Sequence, residues 1–249
     1  MNRVVFILLI SFISSICWGQ IVDAELLKVL ERYAETLRSE IHPNGLKSLI
    51  LEGTHEKKDG MKVPIEVKKE HPGKIRLETL QGNDLEVTIG YNSQLGVSWG
   101  RIDDGKRVAR IDPSEKQNIN WLAIDSDFDG HLVRALKGDD SVTLTHLDSY
   151  QVPNSELKLH CILATDDSEQ EFRYYLHPTK FYMVRKQVIP GDDSAVMEVR
   201  HSHFRLIEGI PIAHRVMLYA DGVHVSTENY SKVRVNEEIY DFLFEKSPY

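Results

Sequence analysis

The sequence contains very little cysteine: Cys17 and Cys161 are the only 2 in 249 residues. Cys17 lies in an N-terminal segment that we expect to be removed, so the mature chain would keep a single thiol. One cysteine excludes an intramolecular disulfide, although exported proteins commonly contain paired cysteines. The stability of the fold must therefore come from a hydrophobic core.

An excess of basic residues is also missing. The chain has 30 Lys and Arg against 38 Asp and Glu, and its formal net charge is −8. No segment carries a basic stripe, so the electrostatic attraction that dominates nucleic-acid binding is absent. We expect no nucleic-acid partner.

Long apolar runs are absent except in the first twenty residues. Arg3, the run Val4 to Ile16 and the small residue Gly19 have the layout of a secretory signal peptide. The run is too short to span a bilayer comfortably. A lipid-anchored form would need a small residue before Cys17, where Ile16 stands. We therefore predict that residues 1–19 are cleaved and that a soluble mature protein is exported.

The pattern of apolar residues changes after the first part of the mature chain. A helical stripe at three- and four-residue steps comes first and consists of Leu26, Leu30, Tyr33, Leu37 and Ile41. A period of two then begins, as at Val63, Ile65 and Val67, and predicts half-buried antiparallel strands. No linker or repeat divides residues 20–249, so we expect a single domain.

The alternation fails between Asp112 and Gly138. Apolar residues there recur at helical steps and predict one or two short helices, at Trp121, Leu122, Ile124, Phe128, Leu132 and Leu136. Strands resume from Val142 to the end, giving a meander of roughly ten strands, which is long for a flat open sheet. Such a sheet should curl or close, and with few helices to fill it a cavity remains.

The segment GVSWG, Gly96 to Gly100, matches the nucleophile-elbow pattern of hydrolases. That motif needs a strand-to-helix turn, whereas an Asp-Gly turn between two short strand-like runs follows here and indicates a hairpin. Acidic residues are dispersed, and no pair of them suits acid-base catalysis. We predict that the protein is not an enzyme.

The segment DSDFDG supplies the first half of a calcium loop, with Asp125, Asp127 and Asp129 at alternate positions. The bidentate Glu that should close the loop is replaced by Leu136. Helix capping by Asp127 or Asp129 is the favoured interpretation, and a weak calcium site stays open.

His201 and His203 lie on one face of a predicted strand and could bind zinc with a third ligand such as His214. The spacing has no sequence-local third ligand, so we favour surface histidines. We expect no metal and no cofactor.

The order of these pieces resembles the LolA-like family of periplasmic lipoprotein carriers and outer-membrane lipoprotein-sorting proteins. The most specific segments are SDFDGHL, LHPTKFYMVRK, HFRLIEGIPIAHRV and VNEEIYDFLF. The chain departs from the family at Asn92-Ser93, where Asp-Gly is frequent, and at Ala213, where proline is frequent.

The resemblance implies a mainly β (α+β) fold. A strongly curved antiparallel sheet would form an incomplete barrel, covered by the N-terminal helix and a mid-chain helical lid. Its cavity would shield lipoprotein acyl chains, or a related lipid, in the periplasm. An inner-membrane releasing complex and an outer-membrane acceptor would be its partners. The alternative is a lipid-sensing or scaffold module of the same fold.

Strand periodicity provides candidate lipid-binding residues of the cavity wall and lid. They are Ile75, Leu77, Leu85, Val87, Ile89, Trp99, Trp121, Phe128, Leu132 and Leu136. Phe128, Leu132 and Leu136 would form the inner stripe of the lid. Ile239, Phe242 and Phe244, which follow the last strand, would seal an edge of the cavity.

Overall fold

The computed structural model describes residues 23–38, 45–81, 85–95, 97–104, 108–111, 126, 128, 130–190 and 195–245. Within these ranges, two α-helices, α1 (Ala24–Leu37) and α2 (Gly130–Leu136), and a C-terminal 3-10 helix (Asp241–Phe244) accompany thirteen strands. The strands are β1 (Ser48–Lys57), β2 (Lys62–Glu70), β3 (Lys74–Gln81), β4 (Leu85–Asn92), β5 (Val97–Asp103), β6 (Val108–Ile111), β7 (Val142–Gln151), β8 (Lys158–Asp166), β9 (Glu171–Leu176), β10 (Met183–Ile189), β11 (Met197–Ile207), β12 (Ile210–Ala220) and β13 (Val223–Val235). None of the helices in these ranges has the length and apolar character needed to cross a membrane.

All thirteen strands form one antiparallel sheet in the order β6-β5-β4-β3-β2-β1-β13-β12-β11-β10-β9-β8-β7. The first and last strands pair at its centre, with Leu49 opposite Val235 and Thr54 opposite Asn229. Within the described ranges β6 and β7 are the two edges and do not pair with each other, so the sheet stays open. The predicted fold class, a mainly β open half-barrel with helices on one face, is confirmed.

Helix α1 covers one face of the sheet, which we call the inner face. Asp23 caps the helix, since its carboxylate accepts the Glu25 N–H at 3.2 Å, and Arg38 ends it in the left-handed conformation. Its apolar stripe packs with α2 and with β7 to β9 in what we call the first inner cluster. The buried members of this cluster are Leu26, Val29, Leu30, Tyr33, Ala34, Leu132, Val133, Val142, Ile162, Ala164, Phe172, Tyr174 and Leu176.

A second inner cluster covers the other half of the inner face, on β1 to β3, β12 and β13. Its buried members are Leu46, Leu49, Leu51, Ile65, Val67, Ile75, Ile210, Ile212, Tyr230 and Val235. The inner face of the half-barrel therefore has two apolar clusters. A ligand on this face would have to bind in the space between them.

The segment after β13, residues 236–245, lies on the opposite, outer face, and we call it the C-terminal clasp. Phe244 is fully buried there, and Ile239 packs with Ile50. The Trp99 indole N–H donates to the Phe244 carbonyl at 3.3 Å, and an Arg76 N–H donates to the Leu243 carbonyl at 3.0 Å. The expectation that the clasp seals an edge of the inner cavity is therefore wrong, because its contacts are with the outer face.

Outer-face side chains also form a buried ion network on β10 and β11. Glu198 is 4% exposed and pairs with Arg185 and Arg200, while Gln187 donates to its carboxylate at 2.9 Å. Burial alone would raise the pKa of Glu198, but the hydrogen bonds from Arg200 and Arg185 outweigh it and hold the pKa below its ordinary value. The folded state therefore favours the ionised carboxylate.

We expect this pairing to make the protein less stable in acid. A carboxyl group whose pKa is lowered by folding contributes stability above its unfolded pKa, 4.5 here, and loses it as the pH falls through the lower folded value. Urea midpoints measured from neutral pH down through this range should fall less steeply for Glu198→Gln than for the wild type. The exposed Glu156→Gln is the control and should keep the wild-type slope. Equal slopes for Glu198→Gln and the wild type would contradict this account.

Candidate functional site

A cavity of about 170 Å³ lies between the two inner clusters. Helix α1 contributes Tyr33 and Leu37 to one wall, and the centre of the sheet contributes most of the others. The lining residues of the sheet and its connections are Leu46, Leu49, Leu51, Lys69, Phe128, Tyr182, Met183, His201, Phe204, Pro211, Ile212, Ala213, Val216, Glu228 and Tyr230. Most of these side chains are aliphatic or aromatic, so the cavity suits an apolar chain.

Strand registers explain why this surface is continuous. Leu49 lies opposite Val235, and Val216 lies opposite Glu228, so alternate residues of β1, β13 and β12 share the inner face. Because the first and last strands meet here, the cavity wall combines residues that are about 160 to 180 positions apart in sequence. Helix α1 packs against β12 and contributes Tyr33 and Leu37 to the cavity wall.

The cavity has a few polar groups at its ends. Glu228 accepts a hydrogen bond from the Tyr230 hydroxyl and lies 3.6 Å from the Nδ1 atom of His55. Lys69 lies opposite Leu49, six residues along β1 from His55, which corresponds to about 20 Å. These groups could orient a ligand, while the apolar wall between them supplies most of the contact area.

Of the predicted lining residues, Phe128 lies in the cavity wall. Ile75, Leu77 and Ile89 lie on the inner face within or against the second inner cluster. Val87 shares their face, since it pairs with Thr79 two residues along β3 from Leu77. The structure thus places these four residues on the inner face beside the cavity, and none of them is among the residues that line it.

Leu132 and Leu136 are not among the residues that line the cavity. Leu132 is 1% exposed inside the first inner cluster, and Leu136 packs against the same cluster. Phe128 precedes the first residue of α2 and packs against the second cluster. The predicted lid stripe is therefore wrong as one surface, because a helix that begins at Gly130 does not include Phe128.

Trp99 is on the outer face, which corrects its prediction as a lining residue. It lies opposite Gly90 in the β4–β5 pair, and a Cβ atom at Gly90 would come within 2.4 Å of the indole ring. Because the indole packs directly on the backbone of β4, any side chain at position 90 would clash with it, which explains why this residue is glycine. Leu85 begins β4, but its side chain is outside the described set, as is Trp121.

Sequence reasoning missed most of the actual wall. Tyr33 and Leu37 were recognised as an apolar helix stripe, but nothing in their spacing shows that they face a space. Val216 falls in a predicted strand with no face assigned, and Leu49 and Leu51 fall in no predicted element. Their alternation was the available signal, and the pairing of β1 with β13 was the missing information.

The hydrolase, calcium and zinc interpretations of the sequence can each be compared with the structure. Ser98 lies inside β5, opposite Tyr91 of β4, and not at a strand-to-helix turn. Asp125, Asp127 and Asp129 lie outside the described residues. Across the described ranges, the one group with three potential metal-binding atoms within 4.8 Å of one another is Asp23, Glu25 and His146. It does not include His201, His203 or His214, and its two carboxylates are exposed.

No protein-family model matches the chain, and no curated protein matches it. Solved structures do match. An outer membrane lipoprotein-sorting protein domain from Vibrio parahaemolyticus has a TM-score of 0.60 at 11% identity, covering 88% of this chain and 95% of that one.

Two further structures agree with this result. A DUF1329 family protein from Desulfovibrio piger has a TM-score of 0.59 at 11% identity, over 89% of this chain and 96% of that one. A LolA superfamily protein from Nitrosomonas europaea has a TM-score of 0.57 at 12% identity, over 88% and 96%. At these identities the likeness concerns the fold, and the chain has a LolA-like fold.

Proposed function

We propose that the protein is a periplasmic carrier that shields the acyl chains of lipoproteins, or of a related lipid, during sorting to the outer membrane. In this proposal residues 1–19 are a cleaved signal peptide and residues 20–249 form one lipid-binding domain. The observation that carries the proposal is the apolar cavity between α1 and the centre of the open sheet. Similarity to a lipoprotein-sorting domain and to a LolA superfamily protein supports it.

The physical basis is the transfer of acyl methylenes out of water, which contributes about 0.8 kcal/mol for each group. The cavity of about 170 Å³ is smaller than the roughly 300–1,000 Å³ of common small-molecule sites. A lipid with several chains would therefore need α1 to move away from the sheet. Tyr33 and Leu37 lie at this boundary and would separate from Ile212 and Val216.

A test of the proposal fills the cavity. Val216→Phe places a larger side chain in the wall, so binding of a fluorescent fatty-acyl probe should weaken by about tenfold, which corresponds to about 1.4 kcal/mol. Probe affinity would be measured by titration after delipidation, with circular dichroism to verify folding. Val223→Phe is the matched control, because Val223 is 52% exposed and outside the cavity wall. A wild-type protein that binds no probe after delipidation would overturn the proposal.

A lipid-sensing or scaffold module of the same fold would differ from a carrier in whether it releases the bound lipid. A carrier should transfer bound probe to acceptor vesicles, whereas a sensor should retain it and change its affinity for a protein partner. Organic extraction and mass spectrometry of the purified protein would identify the class of lipid that it retains.

A further inference from the structure

A second concave surface adjoins the cavity. It is an open groove of about 520 Å³ between β10 and the β11–β12 hairpin. Four residues line both the cavity and the groove, namely Tyr182, His201, Phe204 and Pro211. The two spaces therefore meet at this point, and a ligand in the cavity could extend into the groove.

An aromatic pair marks the junction. The rings of Tyr182 and Phe204 are stacked, with centroids 3.9 Å apart and an interplanar angle of 23°. Both side chains are half-buried, so they separate the apolar cavity from the open groove without belonging wholly to either. An acyl chain that passes between the two spaces would contact these rings.

The groove differs from the cavity in charge. It contains Lys180, Arg205 and the histidines 177, 201 and 203, and no Asp or Glu is among its lining residues. In the described part of the chain neither Lys180 nor Arg205 forms an ion pair. Although the formal net charge of the protein is −8, Lys180 and Arg205 therefore give this groove a local positive charge.

His177 adds an oriented donor to this groove. Its Nδ1 atom accepts the backbone N–H groups of Thr179 and Lys180, each at 3.3 Å. In the neutral ring the proton is therefore on Nε2, which can donate to a ligand. Burial, together with the nearby Lys180 charge, lowers the pKa of His177 and favours this neutral form.

We infer that the groove binds the anionic head group, of phosphate type, of a lipid whose acyl chain occupies the cavity. Lys180 and Arg205 supply the charge, and Arg205 offers the planar donor geometry that suits phosphate oxygens. The Tyr182–Phe204 pair contacts the lipid where head and chain join. This inference rests on the proposed lipid-binding function and specifies the class of ligand for it.

The test compares three single-chain lipids with the same acyl group: a lysophosphatidate, a lysophosphatidylcholine and a monoacylglycerol. Affinities would be measured by displacement of the fluorescent acyl probe, below the concentrations at which these lipids aggregate. The wild type should bind lysophosphatidate about tenfold more tightly than monoacylglycerol, because the phosphate gains charge-assisted hydrogen bonds. Lysophosphatidylcholine should lie between them.

The double variant Lys180→Gln/Arg205→Gln should lose most of this preference and keep its affinity for monoacylglycerol. The matched control Arg32→Gln/Lys62→Gln makes the same change in charge at exposed positions outside both spaces and should keep the preference. The groove could bind phosphate as part of a lipid head group or as the free ion, and a titration with inorganic phosphate distinguishes these two cases. We expect inorganic phosphate not to displace the probe and not to bind at the concentrations used for the lipids.

The outcomes are distinguishable. If no lipid binds the wild type, the proposed function fails and this inference fails with it. If all three lipids bind equally, or the double variant keeps the wild-type preference, the inference is overturned while lipid binding stands. Tight binding of inorganic phosphate that depends on Lys180 and Arg205 would overturn the lipid assignment in favour of a free-phosphate site.

Discussion

Leu132→Glu should lower the free energy of unfolding by about 4 kcal/mol or more, because it buries a carboxylate that has no partner. Leu132 is 1% exposed, and its neighbours in the first inner cluster come from α1, α2 and the strands β7 to β9. A domain of this kind has a total stability of about 5–15 kcal/mol, so the variant should be partly or largely unfolded at room temperature.

Urea unfolding followed by circular dichroism measures this loss. Leu95→Glu is the matched control, since Leu95 is 58% exposed in a turn and should change stability by about 0.5 kcal/mol or less. If Leu132→Glu kept the wild-type midpoint and lost only lipid binding, α2 would be a loose lid, as the sequence pattern suggested. The packing of Leu132 in a cluster separate from Phe128 predicts the opposite result.

Alternation along strands was sufficient to predict the sheet and its antiparallel character. Val63, Ile65 and Val67 are buried on one face, as their period of two requires, and the same holds for Ile75 on β3. These inferences depend only on near neighbours in sequence. Alternation alone therefore predicts the antiparallel sheet, whereas the incomplete barrel with its helical cover follows from the resemblance to the LolA-like family.

Which face a residue occupies was harder to predict where both faces are covered. Trp99 is 4% exposed although it lies on the outer face, since the C-terminal clasp packs over it. Burial on two faces removes the polar alternation that normally distinguishes inside from outside. The error at Trp99 has this physical cause.

The inner stripe of the mid-chain lid was mispredicted for a different reason. Phe128, Leu132 and Leu136 are spaced by four, which suits one helical stripe, but α2 begins only at Gly130. Spacing by itself does not fix where a helix starts. Phe128 consequently joins the cavity wall, while Leu132 and Leu136 belong to the packed core.

Phe244→Ala should destabilise the fold by about 3–5 kcal/mol, the usual cost of removing a fully buried phenyl ring. Phe244 has no exposed surface; its carbonyl accepts from the Trp99 indole, and Lys74 lies 5.7 Å from its ring centroid. Because these contacts are all on the outer face, the variant should keep the wild-type affinity for an acyl probe wherever it remains folded. Phe244→Ala should therefore lower the stability of the fold and leave its affinity for the ligand unchanged.

The C-terminal 3-10 helix offers its own control. Phe242 has the same side chain two residues earlier and is 65% exposed, so Phe242→Ala should leave the urea midpoint almost unchanged. Urea unfolding and probe titration at low temperature would be measured on both variants. If Phe244→Ala weakened probe binding while its folded fraction stayed high, the clasp would act on the cavity through the sheet. The structure favours a clasp that stabilises β1, β3, β4 and β5 from outside. In the proposed function, α1 and not the clasp would therefore be the element that moves when lipid binds.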